Sequence, residues 1–458
     1  MSTTDKNCGL IISSINSILK FSQNTFKYLW ENSYFAQNID NMIFATIIAV
    51  FVLSTFASSS LLGSIALITF GLTVIKTLIK PNEKLEMNLF EKFLLVYFLF
   101  VIVSLAGSTL FHLSLKGFTK TFTYMGFYFS LVQYYKNNLN KIPITMEIIA
   151  ILATIQGLIG FTQNFASVGE ISTWQDVTRI NEEEVMTRVY GTLQPFNPNL
   201  FGGYLVVTIP CIMGALFTAL NKKNIQNLIL YFVSLGITTV ALLLSGCRGA
   251  YIGLLAIAVC ALGFIAKFIW DNNLEKFKKL YISFIGTLTA IACSAAVLVT
   301  PLRARIISIF AMRSDSSTSF RFNVYQAAIQ MAKDNWLLGI GVGNQNFREI
   351  YGLYMRTGFD ALSCYCIYLE TIVESGIFAL IAFLGFLGFL ITNAFHFALT
   401  TKNLQKLIIV TCSIISVIAV MVHGMVDTVF FRPQIQFVFW AVVSFISAEL
   451  NPQNCDCD

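Results

Sequence analysis

Two short stretches carry the residues with chemical reach. In LLLSGCRGAYIGLLAIAVCALGFIA, residues 242–266, Arg248 stands in an apolar run with only Ser245, Gly246 and Cys247 for polar company. An unpaired guanidinium at a bilayer centre costs roughly 2.5–3.5 kcal/mol even on lenient insertion scales, so Arg248 belongs at a membrane face or beside a partner. The second stretch is HGMVDTVFFRPQ, residues 423–434. His423 and Asp427 are four apart, a spacing that on a helix lets a carboxylate fix and charge an imidazole. With Arg432 close by, this is the one grouping of acid, imidazole and base in the sequence. Its chemistry is proton transfer beside an anion, and His423 and Asp427 are the expected catalytic pair if the protein is an enzyme. A capped, self-satisfied helix end is the plainer account of the same residues.

The elements that position these residues follow from composition. The chain has 458 residues, 56% hydrophobic and only 12% charged, with a mean hydropathy of +0.71. Soluble proteins carry about 25% charged residues, so half that charge, with the apolar residues in long runs, predicts an all-α polytopic membrane protein. Twelve stretches approach the roughly 20-residue bilayer length: 42–58, 61–79, 90–110, 119–135, 144–161, 203–220, 227–245, 249–269, 279–299, 364–392, 405–423 and 433–449. No cleavable signal peptide is recognisable. Ile11, Ile15, Ile18, Phe26 and Leu29 share one helical face with Asn16, Lys20 and Lys27 opposite, which predicts an interfacial helix within a cytoplasmic segment 1–41. A first bundle over 42–161, a second membrane domain over 162–449 with an external loop at 300–362, and a cytoplasmic tail at 450–458 complete the plan. Neither Cys364/Cys366 nor Cys455/Cys457 has a second pair at zinc spacing, so the cysteines read as small hydrophobes. No metal, cofactor or nucleic acid is expected.

With twelve spans both chain ends lie on one side, and the loops of that side hold seventeen of the twenty lysines. The positive-inside rule makes that side cytoplasmic. Every arginine falls on the other side: Arg179, Arg188, Arg248, Arg303, Arg305, Arg313, Arg321, Arg348, Arg356 and Arg432. Arginine offers a rigid fork of donors that grips an oxyanion at two points, which lysine does not. An external anion site is the expectation, with Arg188, Arg248, Arg321 and Arg432 its candidate ligands. Snorkelling or contact with lipid headgroups is the alternative.

Three external segments are organised. Asn197-Pro198-Asn199 is a turn whose last Asn is expected to cap the next helix. In the loop, Ser316 to Ser319 offer helix caps, and Phe320, Val324, Ala327, Ala328 and Met331 form an apolar stripe at helical spacing. This predicts a surface helix packed against the membrane domain. Gly339-x-Gly341-x-Gly343 is not a dinucleotide loop, because no strand precedes it, and is read as a flexible turn. The third segment is HGMVDTVFFRPQ itself.

SGCRG, R-x-Y-G-T-L with N-P-N-L-x-x-G-Y-L, F-R-x-x-x-Y leading to D-N-W-L-L-G-I-G-V-G-N, and L-x-x-x-V-E-S-G at 369–376 together resemble the O-antigen ligase and polymerase superfamily of membrane proteins, over roughly residues 185–440. Within it, YGLYMRTGFDALSCYCIYLETIVESG and HGMVDTVFFRPQIQ look most like the cyanobacterial bicarbonate-transporter family of the IctB type. The superfamily resemblance implies transfer of a glycan from an isoprenoid diphosphate to a hydroxyl at the outer face of the plasma membrane, with arginines on the diphosphate and a histidine before the V-E-T-G helix. Arg248 and Arg321 match arginine positions, whereas the histidine position falls on Tyr365, followed by Cys366. A phenol titrates near 10, far from a useful general base. The resemblance also puts Arg248 at the external mouth of its span, with Gly246 and Gly249 leaving backbone room for a bound anion. The closer resemblance makes a bicarbonate transporter, or a protein associated with that transport, the first expectation. The alternative is a glycan ligase or polymerase with His423 and Asp427 in place of the missing base. The substrate is an anion in both cases, bicarbonate or a lipid-linked diphosphate glycan, and membrane lipids are the other partners.

Overall fold

The computed structural model of the protein describes residues 3–166, 170–171, 187–300, 302–303, 306–307, 316–356 and 359–451. Arg179, Arg305, Arg313, Cys455 and Cys457 lie outside them. Each of the twelve apolar stretches lies along a helix: α3 (Tyr34–Ser54), α4 (Ser59–Ile79), α5 (Leu89–Gly107), α6 (Phe111–Lys136), α7 (Lys141–Phe165), α8 (Pro198–Asn221), α9 (Ile225–Leu244), α10 (Arg248–Asp271), α11 (Glu275–Leu298), α14 (Ile367–Thr400), α15 (Leu404–His423) and α16 (Pro433–Glu449). Two helices, the 23-residue α1 (Thr3–Thr25) and the six-residue α2 (Lys27–Asn32), precede them, and α12 (Ser316–Asp334) and α13 (Asn344–Tyr351) lie in the long loop. Among the described residues the extended structure is a two-residue antiparallel pair, β1 (Glu170–Ile171) with β2 (Thr187–Arg188). Among the described residues, ten helices are long and apolar enough to cross a membrane. The two long-stretch helices outside that set are α6, which carries His112, Lys116 and Lys120 in its first half, and α16, which has seventeen residues. The protein is an all-α polytopic membrane protein.

Helices α8 and α16 are buried along nearly their whole length. Peripheral helices instead present Phe232, Leu255, Val259, Ile282 and Ile291 outward. In water such a surface would be an aggregation liability; against lipid it is the solvated face. Since lipid tails are as apolar as leucine, close packing rather than hydrophobic burial holds such helices together. Gly253 of α10 accordingly faces Val206 of α8, where an added Cβ would meet both valine methyls at 3.0 Å.

Successive long helices reverse direction, and their end contacts show it. At one end Thr192 bonds the carbonyl of Thr55 (2.7 Å), Ser104 that of Glu374 (2.6 Å), and Ile367 N–H that of Gly424 (2.8 Å). At the other, Asn88 bonds Ser447 and Gln405 bonds Thr218. Lysines gather at this second end, where α4, α6 and α8 finish and α5, α7 and α15 begin. Lys116, Lys120 and Lys333 join the described arginines at the first. Helix entries are marked by side-chain caps from Ser33, Asn224 and Asn403 and by a capping box of Asn88 with Glu91. At Asn197-Pro198-Asn199 the cap is the first Asn, not the last as its sequence suggested: Asn197 Oδ1 accepts the N–H groups of Asn199 (2.7 Å) and Leu200 (3.2 Å), with Pro198 opening α8.

The stripe on α12 is buried as its spacing predicts. Val324, Ala327, Ala328 and Met331 pack with Phe347, Tyr351, Cys364 and Val373 in a second core outside the main bundle. The Gly-x-Gly-x-Gly segment is not a flexible turn. Gly339, Gly341 and Gly343 take φ of +72°, +104° and +111°, and the segment wedges between α5, α6 and a break in α14 at Gly376 (φ +80°). Ile340 N–H and Gly341 N–H donate to the carbonyls of Val373 (2.9 Å) and Glu374 (3.1 Å), and Ile377 N–H donates to Trp336 (2.9 Å). The loop therefore satisfies backbone groups that the broken helix leaves open, the condition for non-helical backbone at membrane depth. Gly376→Ala would overlap the Leu337 carbonyl oxygen and impose a left-handed backbone on a side chain. We expect it to lower stability by about 1–3 kcal/mol, read as a fall in thermal midpoint in detergent. An unchanged midpoint would show that the loop does not lock the break.

Candidate functional site

At the arginine end, β2, the α9–α10 turn, α12, the start of α14 and the segment between α15 and α16 come together. Val189 N–H donates to Leu244 (3.3 Å), and the hydroxyls of Ser363 and Thr428 meet at 2.6 Å, and Tyr368 hydroxyl donates to Met421 (3.2 Å). At the centre is His423, the last residue of α15, 3% exposed. Its imidazole fits because both neighbouring helices have a glycine there. A Cβ on Gly249 of α10 would come 2.6 Å from His423 Cδ2, and one on Gly203 of α8 would come 3.1 Å from Cε1. Gly249 thus makes room for a protein side chain, not for the bound anion its sequence context implied.

Cys247 Sγ lies 3.8 Å from His423 Nε2. Cys247, His423 and Asp427 each bring a ligand atom within 4.8 Å of the other two, as a metal-binding set would. Burial, reinforced by the charge of Asp427, pushes the Cys247 thiol up. Asp427 reaches His423 by a different route from the one its spacing suggested. Helix α15 ends at His423, and a turn closed by Val426 N–H on the His423 carbonyl (3.1 Å) swings Asp427 back. Its Oδ1 then accepts the N–H groups of Thr428 (2.7 Å) and Val429 (3.2 Å).

The other carboxylate oxygen faces Arg321. Arg321 Nη2 lies 3.7 Å from Asp427 Oδ2, and its guanidinium sits 5.6 Å from the centre of the Tyr365 ring. Arg321, not the nearer-in-sequence Arg432, is the cation of the cluster. Tyr365 is in a left-handed backbone conformation (φ +53°), uncommon for an aromatic residue. Its carbonyl accepts the Tyr325 hydroxyl (3.2 Å), and its ring meets Phe320 edge-on. Burial and then the Asp427 charge push its phenol above its ordinary value, Arg321 opposing them. Tyr365 is therefore a proton donor through the neutral range, and can bond an anion but not deprotonate an alcohol.

The remaining arginines differ in role. Arg188 is buried, donates from Nε to the Ser245 carbonyl (2.8 Å) and from Nη2 to Asn199 Oδ1, and fills the space beside Gly246. It ties β2 to α8 and to the α9–α10 turn, and here too a glycine gap expected to serve an anion is taken by a side chain. Arg248 opens α10, half-buried at the rim of the same cluster. Arg432 precedes α16 and is exposed. Glu370 and Glu374 are both buried one turn apart on α14. Glu370 Oε2 accepts the Cys364 N–H (3.3 Å) and Glu374 accepts that of Gly343, so each anchors a loop to the helix.

Among curated proteins none matches this chain. A family model does: residues 232–384, about a third of the chain, match the O-antigen ligase family, a stretch that runs from within α9 to within α14 and contains Cys247, Arg248, Arg321, Tyr365, Glu370 and Glu374.

Proposed function

We propose that the protein transfers a glycan from an isoprenoid diphosphate to an acceptor hydroxyl at the arginine end of the bundle. The observation that carries this reading is the contact of Arg321 with Asp427, beside His423, in a chain whose middle third matches the O-antigen ligase family. Arg321 and Arg248 would bind the diphosphate oxygens, and Tyr365 would donate a hydrogen bond to them. The bond from the anomeric carbon to the diphosphate oxygen breaks, and the departing diphosphate takes its electron pair. The acceptor oxygen bonds that carbon and gives its proton to the pair of Asp427 and His423. Such stabilisation of developing charge by fixed donors is commonly the largest catalytic contribution. The bicarbonate reading, first choice on sequence, draws no support from the family match.

The test is a side-by-side assay in vesicles holding the purified protein, one arm following turnover of a lipid-diphosphate glycan, the other uptake of labelled bicarbonate. Glycan transfer without uptake is expected; uptake without transfer would reverse the assignment. The reading also requires the arginine end to face outward from the plasma membrane, with α1 and Asn451 inside, as the lysine distribution implies. In a cysteine-depleted chain, Leu353→Cys should react with an impermeant maleimide on intact cells and Lys84→Cys only after permeabilisation. The reverse pattern would place the site inside and exclude an external acceptor.

A further inference from the structure

The end of the bundle away from His423 holds a cavity of about 880 Å³, against about 10 Å³ for the pocket beside His423 and Asp427. Its walls are the polar face of α1, the segment between α4 and α5, the first turn of α5, the end of α6 and Asn451. Helix α16 separates the two ends: Arg432 precedes it and Asn451 follows it, and seventeen helical residues span about 25 Å. The cavity is thus no part of the site described above.

Four ammonium groups line it, from Lys20, Lys84, Lys92 and Lys136, with two carboxylates, Glu83 and Glu86. Glu83 is already engaged, 3.2 Å from Lys80 Nζ and accepting from Asn137 Nδ2 at 2.8 Å. Four ammonium groups against two carboxylates leave the lining with a net positive charge.

The roof is what identifies the ligand. Helix α1 is fastened over the cavity by its polar side: Asn16 exchanges two hydrogen bonds with the backbone of Leu85 (3.0 and 3.1 Å), and Gln23 donates to the carbonyls of Thr77 (3.0 Å) and Glu83 (2.9 Å). Its other side leaves Ile15, Ile18 and Phe21 exposed, Ile18 by 68% and Phe21 by 75%. A helix bonded to the protein by its polar face, with isoleucine and phenylalanine outward, lies at the boundary of headgroups and acyl chains. The cavity beneath it is then at phosphate depth, open to a molecule that has a phosphate and an apolar tail together.

We propose that this cavity binds the phosphodiester headgroup of an anionic phospholipid, with Lys84 and Lys92 as principal phosphate ligands and the lipid's acyl chains passing the flank of α1 into the apolar layer that Ile15, Ile18 and Phe21 face. The charge excess selects an anionic over a zwitterionic headgroup, and the exposed face of α1 selects a lipid over a free anion.

The purified full chain, mixed in detergent with phosphatidylglycerol or phosphatidylcholine, is read by native mass spectrometry for retained lipid and by thermal midpoint. A lysine near an anionic surface contributes about 1 kcal/mol, roughly five-fold in affinity. The unaltered protein should hold phosphatidylglycerol in clear preference, and Lys84→Gln/Lys92→Gln should lower that preference about twenty-fold or more, with its midpoint in phosphatidylcholine unchanged. If that variant unfolds, Lys20→Gln/Lys84→Gln replaces it, both residues being exposed and far from the bundle core. An unchanged lipid preference in a folded variant overturns the proposal. So does an equal rise in midpoint from inorganic phosphate with no lipid retained, which would make this a free-anion site.

Discussion

His423→Ala is expected to lower glycan transfer by about 10²- to 10⁴-fold, the usual worth of a positioned general base. His423 is the imidazole held beside a carboxylate among the described residues, its ring fixed between Gly203 and Gly249 and its thiol neighbour kept protonated by burial. At 3% exposure it sits behind Asp427, whose outer oxygen faces Arg321, so the acceptor's proton reaches the imidazole through the carboxylate. Asp427→Asn should therefore fall nearly as far as His423→Ala. His423→Gln separates chemistry from packing: glutamine fills much of the space and can donate a hydrogen bond, yet cannot take a proton. Rates close to the parent in His423→Gln, with the protein folded and inserted, would remove the imidazole from the mechanism and favour a binding or transport role. Tyr365→His supplies an independent check. It puts an imidazole beneath Arg321 where the phenol, held above its ordinary value, stays protonated. An imidazole in water titrates near 6.5, becoming a base as pH rises through that value, so in the His423→Ala background Tyr365→His should restore part of the rate and make it rise with pH across the neutral range.

What could be read without a structure was what local spacing encodes. Each apolar run became a helix because run length and hydropathy decide that in lipid, and the stripe on α12 was buried because positions three and four apart share a face. Among the described residues lysine and arginine sort to opposite ends of the bundle, which depends only on counting reversals of the chain. Long-range packing was not legible. Gly246 and Gly249 flank Arg248 and suggested space for an anion, but the side chains that use the space, Arg188 and His423, come from 58 and 174 residues away along the chain. Asp427 looked like a helical neighbour of His423 and is one by way of a turn, since Gly424 ends α15. The three glycines of 339–343 signalled freedom by composition, whereas Gly117 of α6 and the break at Gly376 show that they are there for close backbone approach. Arg321 displaced Arg432 as partner of Asp427 because α12 folds back over the membrane domain, a contact that no spacing near residue 427 announces.

Arg321→Lys should lower kcat/KM for glycan transfer by about 10²- to 10³-fold, comparable with loss of one fixed donor to developing charge. Charge is preserved in this variant, so the loss measures the planar fork of donors. Arg321 has one side committed to Asp427 at 3.7 Å and its face to Tyr365, and 22% of its side chain is still open. A lysine ammonium could meet Asp427 or a phosphate oxygen, but it cannot pair with the carboxylate, stack on the ring and bond two phosphate oxygens together. Because the diphosphate gains charge as it leaves, most of the loss should fall on kcat; a loss confined to KM would reduce Arg321 to ground-state binding. Arg248→Lys should follow the same direction at the rim. Arg348 and Arg356 are the internal controls. Arg348 forms an exposed pair with Asp360 (2.7 Å) and Arg356 bonds Asn323 (3.1 Å), both on the outer side of the loop. Exposed pairs of this kind contribute about 0–1 kcal/mol, so lysine at either position should leave transfer within a few-fold of the parent. Equal losses at Arg321 and Arg348 would mean that arginine serves the loop's surface generally, and the assignment of Arg321 to the diphosphate would fall.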